Sequence, residues 1–451
     1  MTFFAQSELP KGELIERVEV QSDSSQGYAL YLPKSYTPEK KWAILYAFEP
    51  IGRGKLPVSI YQEAAEKYGV IVVGSYNSRN GLDGASLSKV LSALWDDTHQ
   101  RFSIDERRVY ATGFSGGSRV ASIFAASCLC VTGVIGSGAG FSVGLQPSPS
   151  LSFIYFSAIG FDDYNYYEIR QLKKLLEEAK MTHRLERFDG DHQWLPKELT
   201  EEALAWMQLY AMKNGSMVKD EKFINDNFQV RLTKSENYLN KNQYLEAFQG
   251  FSAIAIDFKD LLDVSAIEEK VRNLQNSDEL KKALKDEDNQ IQIQERHTSF
   301  ILSEWAKLER SEERLMDLAN IRSYIAKLQK TSEEKDDSPA RRIARRSLNQ
   351  IYANSYETAL FTYERAKKYN QALNSFELAN EIYPKNLRIP YDRARVYALS
   401  GQKKKALEFL EKAVSLGYKN WQELESEKGF DNIRQEEKFQ KLLTQIKAIN
   451  N

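Results

Sequence analysis

The sequence predicts an α/β domain built on a mainly parallel eight-stranded sheet, followed by an all-α region. Two observations lead to this prediction. In the first half, short apolar segments alternate with amphipathic helical patterns, which is typical of a parallel sheet covered on both faces. From about residue 222 onward the strand signal almost disappears, and Lys, Glu, Leu and Ala recur at helical spacing. At 451 residues the chain is also too long for one ordinary core.

The predicted elements of the first half follow one another along the chain. Eight short, apolar segments rich in β-branched or aromatic residues are predicted strands: RVEVQ, YALYLP, WAILYAF, GVIVVGSYN, RVYATGF, VTGVIGSGA, LSFIYFSAIG and HRLERFDG. Between several of them lie helical patterns, such as GASLSKVLSALWDDTHQRF and YNYYEIRQLKKLLEEAK. The helix PKELTEEALAWMQLYAMKNG should end the domain at Gly215. We expect residues 1–216 to form one domain that folds and acts alone, and residues 222–451 to form a helical one.

Charge and composition exclude several classes of function. The 62 basic and 63 acidic residues give a net charge of −1 without a basic block, so no nucleic-acid partner is expected. No run of about 18 apolar residues occurs, so no membrane span is expected. Neither metal-ligand spacing nor a phosphate-binding glycine loop occurs, so no metal or other cofactor is expected. The only cysteines, Cys128 and Cys130, are too close in sequence to meet disulfide geometry easily.

The first residues, MTFFAQSELPKG, allow two interpretations. The short apolar patch and its Ala-Gln step resemble the end of a truncated signal peptide, although a basic n-region and a long apolar stretch are missing. A disordered N-terminus is the alternative. We favour a periplasmic or secreted protein over a cytoplasmic one.

Ser115 is the candidate nucleophile. It lies in Gly113-Phe114-Ser115-Gly116-Gly117, a G-x-S-x-G pattern between the predicted strand RRVYAT and the predicted helix SRVASIFAAS. Glycines at both ends let strand and helix approach closely, and the tight turn exposes the serine Oγ. The amide of Gly116 then points at a developing oxyanion. A plain glycine-rich turn before a helix is the alternative.

His192 is the candidate base, which a serine hydroxyl needs to become an effective nucleophile. Of the four histidines, His99 precedes the serine, His183 begins a strand and His297 lies in the helical half. His192 instead lies in FDGDHQW, directly after the last predicted strand. From that loop its imidazole can reach over the nucleophile at the carboxyl edge of the sheet. An exposed loop histidine without a role is the alternative.

A carboxylate must orient the histidine and stabilise its cation. Asp162 and Asp163 come directly after a strand in SAIGFDDYNYYEI, and Asp163 gives the chain order serine, aspartate, histidine that hydrolases with such a serine turn use. Asp189 and Asp191 are nearer to His192 in sequence, but a strand end is the stronger position. Asp162 either replaces Asp163 in this role or caps the following helix.

These segments resemble the α/β-hydrolase superfamily, in particular its polyhydroxybutyrate-depolymerase-like and feruloyl-esterase-like esterases. The resemblance covers residues 28 to about 210 through YLPKSY, YAFEPIGRGKLPV, EAAEKYGVIVVGSYNSRNG, RFSIDERRVYATGFSGGSRVA, IGFDDYNYYE and FDGDHQW. It implies an acid at Gly-x-x-Asp after the seventh strand, which selects Asp163 behind Gly160. It implies a base in a Gly-x-His-x-Trp loop, which selects His192. Asp191 departs from the pattern, because a second glycine is usual there.

The resemblance also implies a second oxyanion donor in the loop EPIGRG after the third strand, near residues 51 to 53, with Gly52 as the candidate. This loop lacks the His-Gly signature of typical lipases. In SYNSRNG, after the fourth strand, Arg79 either binds a substrate carboxylate or braces the loop. Trp194 either forms a wall of the substrate pocket or packs the histidine loop, and packing is favoured.

The helical half contains an internal repeat. Aromatic, aliphatic and small residues match across one step of 34 residues, where Tyr363, Ala372, Phe376 and Ala379 recur as Tyr397, Ala406, Leu410 and Ala413. With Pro384 closing the first unit, this period resembles tetratricopeptide repeats and implies a protein partner. An earlier segment, ENYLNKNQYLEAFQGFSAIAIDF, has the same texture, and the charged stretch at residues 330 to 342 is a predicted loop. A generic helical bundle is the alternative.

Two functions from different classes follow. In the first, the chain is a serine esterase acting on an ester-bearing small molecule or polymer through an acyl-enzyme, while the repeats bind a partner or shape an oligomer. In the second, the chain is a catalytically silent hydrolase-fold adaptor that acts through its repeats. The presence of serine, aspartate and histidine at all three expected places favours the esterase.

Overall fold

The computed structural model describes residues 9–309 and 319–449. The chain divides after Asn289 into two compact units, and each is described by itself. The predicted export segment begins at residue 1 and lies, up to residue 8, outside the described residues.

In the described part of the first unit, eight strands form one sheet in the order β1-β2-β4-β3-β5-β6-β7-β8. The strands are Leu14–Val20 (β1), Asp23–Tyr31 (β2), Trp42–Phe48 (β3), Val70–Ser75 (β4), Ile104–Phe114 (β5), Gly133–Ser137 (β6), Ile154–Gly160 (β7) and His183–Phe188 (β8). Strand β2 pairs antiparallel with β1 and β4, and the pairs from β4 to β8 are parallel. The predicted mainly parallel eight-stranded sheet is confirmed.

Five helices cover the two faces of this sheet. They are Lys55–Tyr68 (α1), Gly84–Arg101 (α2), Gly116–Cys128 (α3), Tyr166–Glu178 (α4) and Lys197–Lys213 (α5). Helices α1 and α5 pack on one face, and α2, α3 and α4 pack on the other. Strand β3 is buried along its whole length because Ile44 and Tyr46 face one layer while Leu45 faces the other. Its continuous apolar sequence is therefore that of a strand covered on both sides.

The first unit extends past residue 216 into the helical sequence. It includes Glu221–Asn240 (α6), Tyr244–Phe258 (α7), Ser265–Asn276 (α8) and the beginning of Asp278–Glu309 (α9). Leu209 and Met212 at the end of α5 share a buried cluster with Phe251 and Phe258 of α7. The predicted boundary at residue 216 lies where the amino-acid composition changes. Composition does not show that the apolar end of α5 packs against α7.

Partly buried ion pairs link β8, α5 and the added helix α6. Arg184 on β8 contacts Glu202 at 2.9 Å, and Lys234 on α6 contacts Glu202 at 2.8 Å and Glu186 at 3.3 Å. Although burial alone would raise it, Arg184 and Lys234 hold the pKa of Glu186 at about 2. Arg187 on β8 donates to Gln249 of α7 at 2.7 Å. The strand that leads into the histidine loop is thus held by α6 and α7.

Cys128 and Cys130 are joined by a disulfide, with their Cα atoms 5.1 Å apart. The expectation that their spacing disfavours a disulfide is therefore wrong. Leu129 between them adopts a left-handed conformation with φ 56° at the end of α3. This turn brings the two Cα atoms within the usual disulfide range.

The second unit is helical throughout its described residues. After α9 come Ala319–Ser332 (α10), Pro339–Glu357 (α11), a π-helix at Thr358–Glu364, Tyr369–Ile382 (α12), Arg388–Leu399 (α13), Lys403–Ser415 (α14), Trp421–Ser426 (α15), a short 3₁₀ helix at Lys428–Phe430 and Glu437–Ile449 (α16). Between α10 and α11 the predicted charged loop occupies only residues 333 to 338, and Ser338 Oγ caps α11 by accepting from the Arg341 N–H at 3.1 Å.

The repeat positions form the core of this second unit. The alanines at the matched positions, Ala372, Ala379, Ala406 and Ala413, are fully buried, as are Phe376 and Leu410. Small buried residues let neighbouring helices approach closely. The 34-residue period in the sequence therefore places alanines where the helices pack together. None of the helices in the described residues is long and apolar enough to cross a membrane.

Candidate active site

Ser115 lies at the turn between β5 and α3, where the sequence predicts it. Its backbone has φ 52° and ψ −120°, a conformation that is uncommon and strained for a residue other than glycine. Two backbone hydrogen bonds hold it there. The Ser115 N–H donates to the Ser137 carbonyl on β6 at 2.8 Å, and the Ser115 carbonyl accepts from the Ser118 N–H at 3.0 Å. The strained turn is therefore fixed by the neighbouring strand and by the helix it begins.

Gly113 and Gly117 make this turn sterically feasible. A Cβ atom on Gly113 would lie 2.1 Å from the backbone oxygen of Gly117, and one on Gly117 would lie 2.0 Å from that of Phe48. Both contacts are with backbone, which cannot move aside as a flexible side chain can. The two glycines thus allow β5, α3 and the end of β3 to meet around the nucleophile.

His192 and Asp163 are in direct contact. His192 Nδ1 lies 3.1 Å from Oδ1 and 3.0 Å from Oδ2 of Asp163. Asp163 is fully buried, and its Oδ1 also accepts from the Asn165 N–H at 2.8 Å. Burial raises the pKa of the Asp163 carboxyl, and the hydrogen bond from His192 opposes that rise. The carboxylate is in position to orient the imidazole and to stabilise its cation.

The loops after β7 and β8 bring this pair together. The Phe161 N–H donates to the Phe188 carbonyl, and the Asp162 N–H donates to the Gly190 carbonyl, each at 2.9 Å. A Cβ atom on Gly160 would lie 2.4 Å from the Gly190 oxygen, so the loops approach closely. Their bonding continues the parallel pairing of β7 with β8 past the strand ends.

Two aromatic rings that are not predicted from the sequence pack against the imidazole of His192. The ring centroids of Tyr164 and Phe114 lie 4.2 and 4.6 Å from that of His192. Only their positions in the sequence could have indicated these two residues, because Tyr164 directly follows Asp163 and Phe114 directly precedes Ser115. Trp194 is only 8% exposed and packs 5.8 Å from Phe114. That placement agrees with packing of the histidine loop, and a substrate contact of Trp194 stays a prediction.

The remaining contact of the predicted triad is the one between Ser115 and His192. Among the described residues, Ser115 Oγ makes no hydrogen bond with His192. Phe114, adjacent to Ser115, packs on His192, so the two residues share the carboxyl edge of the sheet. Catalytic hydrogen bonds are often long without substrate and shorten when it binds. The missing Ser115–His192 hydrogen bond therefore does not argue against the predicted pair.

The first predicted oxyanion donor, the Gly116 N–H, is available to bind an oxyanion. The N–H of Gly116 makes no hydrogen bond within the described residues. Gly116 is the first residue of α3, where free amides and the helix dipole favour negative charge.

The second predicted oxyanion donor is engaged elsewhere. The Gly52 N–H donates to the Glu49 backbone oxygen at 3.1 Å, so the prediction of Gly52 as a donor requires that bond to break. The Ile51 and Arg53 N–H groups donate to Glu49 Oε2 at 2.8 and 3.2 Å. Glu49 is 1% exposed and also accepts at 3.0 Å from the Arg53 side chain. This buried carboxylate, which is not among the residues predicted from the sequence, directly follows β3 and begins the loop predicted to carry the second donor.

The loop after β4 contributes two exposed residues to the same edge of the sheet. Arg79 is exposed, and its role with a substrate carboxylate stays a prediction. The next residue, Asn80, lies against the first oxyanion residue, since a Cβ atom on Gly116 would lie 1.8 Å from Asn80 Oδ1.

A cavity also lies within the second unit. It has a volume of about 590 Å³ and is lined by α9, α10 and α11, with His297 Nδ1 2.6 Å from the Tyr324 hydroxyl. Its lining contains no aspartate, glutamate or cysteine. We therefore place the candidate active site at Ser115.

Comparisons with known proteins match separate parts of the chain. The tetratricopeptide repeat family model matches residues 364–426, which include the predicted repeat from Ala372 to Ala413. No curated protein matches the chain by sequence.

Similar solved structures cover only the first part of the chain. They include fluorophosphonate-binding serine hydrolase F of Staphylococcus aureus (16% identity, 44% of this chain and 99% of that one, TM-score 0.36). They also include a feruloyl esterase module of Clostridium thermocellum, with 15% identity over 43% of this chain and 86% of that one and a TM-score of 0.36. An esterase of Pyrobaculum calidifontis has 11% identity over 45% of this chain and 86% of that one and a TM-score of 0.38. Such identities concern the fold alone, so the activity is argued from the residues of this chain.

Proposed function

We propose that the chain is a serine esterase that hydrolyses a carboxylic ester through an acyl-enzyme. The observation that supports this most is the contact of buried Asp163 with His192, at the sheet edge that also carries the strained Ser115. A buried carboxylate and a strained serine are both costly to a fold. Their meeting at one edge is explained if they act together.

Each residue has one role in this reaction. Ser115 Oγ attacks the acyl carbon while His192 takes its proton, and His192 then returns that proton to the departing alcohol. Asp163 keeps the Nδ1 proton in place and stabilises the imidazolium. The Gly116 N–H donates to the oxyanion of the tetrahedral intermediate. Water, activated by the same histidine, then hydrolyses the acyl-enzyme and releases the acid.

Hydrolysis of short p-nitrophenyl esters tests this proposal. Ser115→Ala should abolish hydrolysis while the protein stays folded by circular dichroism. Ser88→Ala is the matched control, because Ser88 is an exposed serine on α2. Full activity in Ser115→Ala, with Ser88→Ala also active, would show that another group does the chemistry.

One observation favours the second function, a silent adaptor that acts through its repeats. Glu49 binds the loop amides that were expected to hold the oxyanion, and it places a carboxylate near that site. The matched repeat at residues 364–426 supplies a surface of the kind that holds protein partners. If the folded wild-type protein hydrolyses no ester and its serine stays unmodified, the adaptor replaces the esterase.

A further inference from the structure

We propose that the side-chain amide of Asn80 is the second oxyanion donor, with Nδ2 donating the hydrogen bond that the residues 51 to 53 do not supply. The proposal rests on the proposed esterase function. It assigns a catalytic role to a residue on the loop after β4, which the motif around Ser115 does not include.

The carboxamide of Asn80 lies next to the nucleophile. A Cβ atom on Gly116 would meet Asn80 Oδ1 at 1.8 Å and Nδ2 at 3.0 Å, so the amide group packs directly on Gly116. The Asn80 N–H donates to the Pro50 carbonyl at 2.7 Å. That bond ties the Asn80 loop to the loop after β3, which holds Asn80 at the edge of the candidate oxyanion hole.

The amide of Asn80 is also available for a ligand. Within the described residues it makes no side-chain hydrogen bond, and Asn80 is exposed. Asn77 on the same loop is different, because its Oδ1 accepts from the Gly27 N–H at 2.9 Å and its Nδ2 donates to the Ser25 carbonyl at 3.4 Å. Asn77 therefore braces the loop, whereas both N–H groups of the Asn80 amide remain available to a ligand within the described residues.

A second donor is needed because the backbone amides are engaged. All three N–H groups of residues 51 to 53 donate to Glu49. Freeing the Ile51 and Arg53 amides would leave the buried Glu49 carboxylate with fewer partners, which is costly. A side-chain amide can serve as such a donor when its backbone is held beside the site, and each oxyanion donor contributes about 10²- to 10³-fold to kcat.

Asn80 also explains why residue 116 is glycine. Gly116 has no positive φ, so its backbone conformation does not require glycine. The space that a Cβ atom would take is occupied by the carboxamide of Asn80. Any larger residue at position 116 must push that amide aside.

The direct test replaces the amide and measures kcat and KM separately with a p-nitrophenyl ester. Asn80→Ala should lower kcat about 10²-fold with KM changed less than about 3-fold and the melting temperature unchanged. Asn80→Asp, which keeps the size but has no N–H, should lower kcat at least as much. The control Asn77→Ala should lower the melting temperature and leave kcat unchanged. Asn80 variants that keep the kcat of the wild type would overturn the proposal.

A double-mutant cycle separates catalysis from packing. Gly116→Ala should lower kcat about 10²-fold in the wild type, since it displaces the amide, but much less in the Asn80→Ala background. Equal losses in both backgrounds would overturn the proposal. If the wild type hydrolyses esters and the Asn80 variants keep its kcat, only the proposed role of Asn80 is overturned. A wild type that is inert, with Ser115 unmodified by a fluorophosphonate, removes the esterase function together with it.

Discussion

The two halves of the candidate site are held in different ways. The Asp163–His192 half is already assembled, with a buried carboxylate, a direct contact to the imidazole and two loops joined by backbone hydrogen bonds. The half around Ser115 has a strained turn, one free amide at Gly116 and a neighbouring loop whose amides bind Glu49. In the proposed esterase, the groups for proton transfer are therefore organised before substrate binds, whereas stabilisation of the oxyanion depends on which donors the site can still offer.

Removing the base should have the largest effect, because it disables both halves together. His192→Ala should lower kcat for p-nitrophenyl esters by about 10⁴- to 10⁶-fold, as much as Ser115→Ala, since triad members act as one unit. The double variant should be no worse than either single one. Losses that multiply in the double variant would show that the two residues act independently.

Asp163→Asn tests the assembled half alone. It should lower kcat about 10³- to 10⁴-fold, because the amide cannot stabilise the imidazolium, whereas Asp162→Asn should cost much less. The opposite ranking of the two variants would assign the acid to Asp162.

The same Asp163→Asn variant should be more stable than the wild type at neutral pH. Burial raises the pKa of Asp163 in the folded state, so the ionised carboxylate lowers stability. That cost is present above the folded pKa and disappears once the pH is below the unfolded value of 3.8. Melting temperatures measured from pH 7 to pH 3 should therefore converge for the two proteins. A variant less stable than the wild type at pH 7 would contradict this account.

Fragments ending at residues 216 and 289 test what holds the assembled half. Residues 1–216 are expected from the sequence to fold and act alone. The shorter fragment, however, uncovers Leu209 and Met212, and it removes Lys234 of α6 from Glu186 and Gln249 of α7 from Arg187. We expect residues 1–289 to keep the kcat of the full chain and residues 1–216 to unfold at a lower urea concentration. Equal unfolding midpoints would show that α6 to α8 add no stability.

Glu49→Gln should have the smallest effect on catalysis and tests the other half. The variant keeps an acceptor for the loop amides but loses the charge that pairs with Arg53. We expect stability to fall by about 1–3 kcal/mol, with kcat within about 3-fold of the wild type because the loop amides take no part. A rise of kcat well beyond that range would show that Glu49 had been blocking a donor.

The sequence predicts those parts of the fold and site that depend on local pattern. Strands such as β3 are recognisable because both of their faces are buried, so they are apolar throughout. Ser115 is recognisable because strand, glycines and helix must follow one another around it. Asp163 and His192 follow from the resemblance and from their positions after β7 and β8, and the structure brings them into contact.

Features that depend on contacts distant in sequence could not be predicted in this way. Glu49 and Asn80 have no local signal, because what matters is which amides they meet across loops. The first unit extends to Asn289, and within it the apolar face of α7 covers the end of α5. Helical composition alone does not reveal that α7 packs on α5. The disulfide depends on the left-handed turn at Leu129, a conformation that a leucine rarely adopts.

Labelling with a fluorophosphonate probe, followed by peptide mapping, tests the central claim most directly. The probe forms a covalent bond only with a serine that is activated by its base. We predict one modified peptide, carrying the label on Ser115, with no label in Ser115→Ala and much slower labelling in His192→Ala. A folded wild-type protein that takes up no label, or takes it up on another residue, would contradict the account.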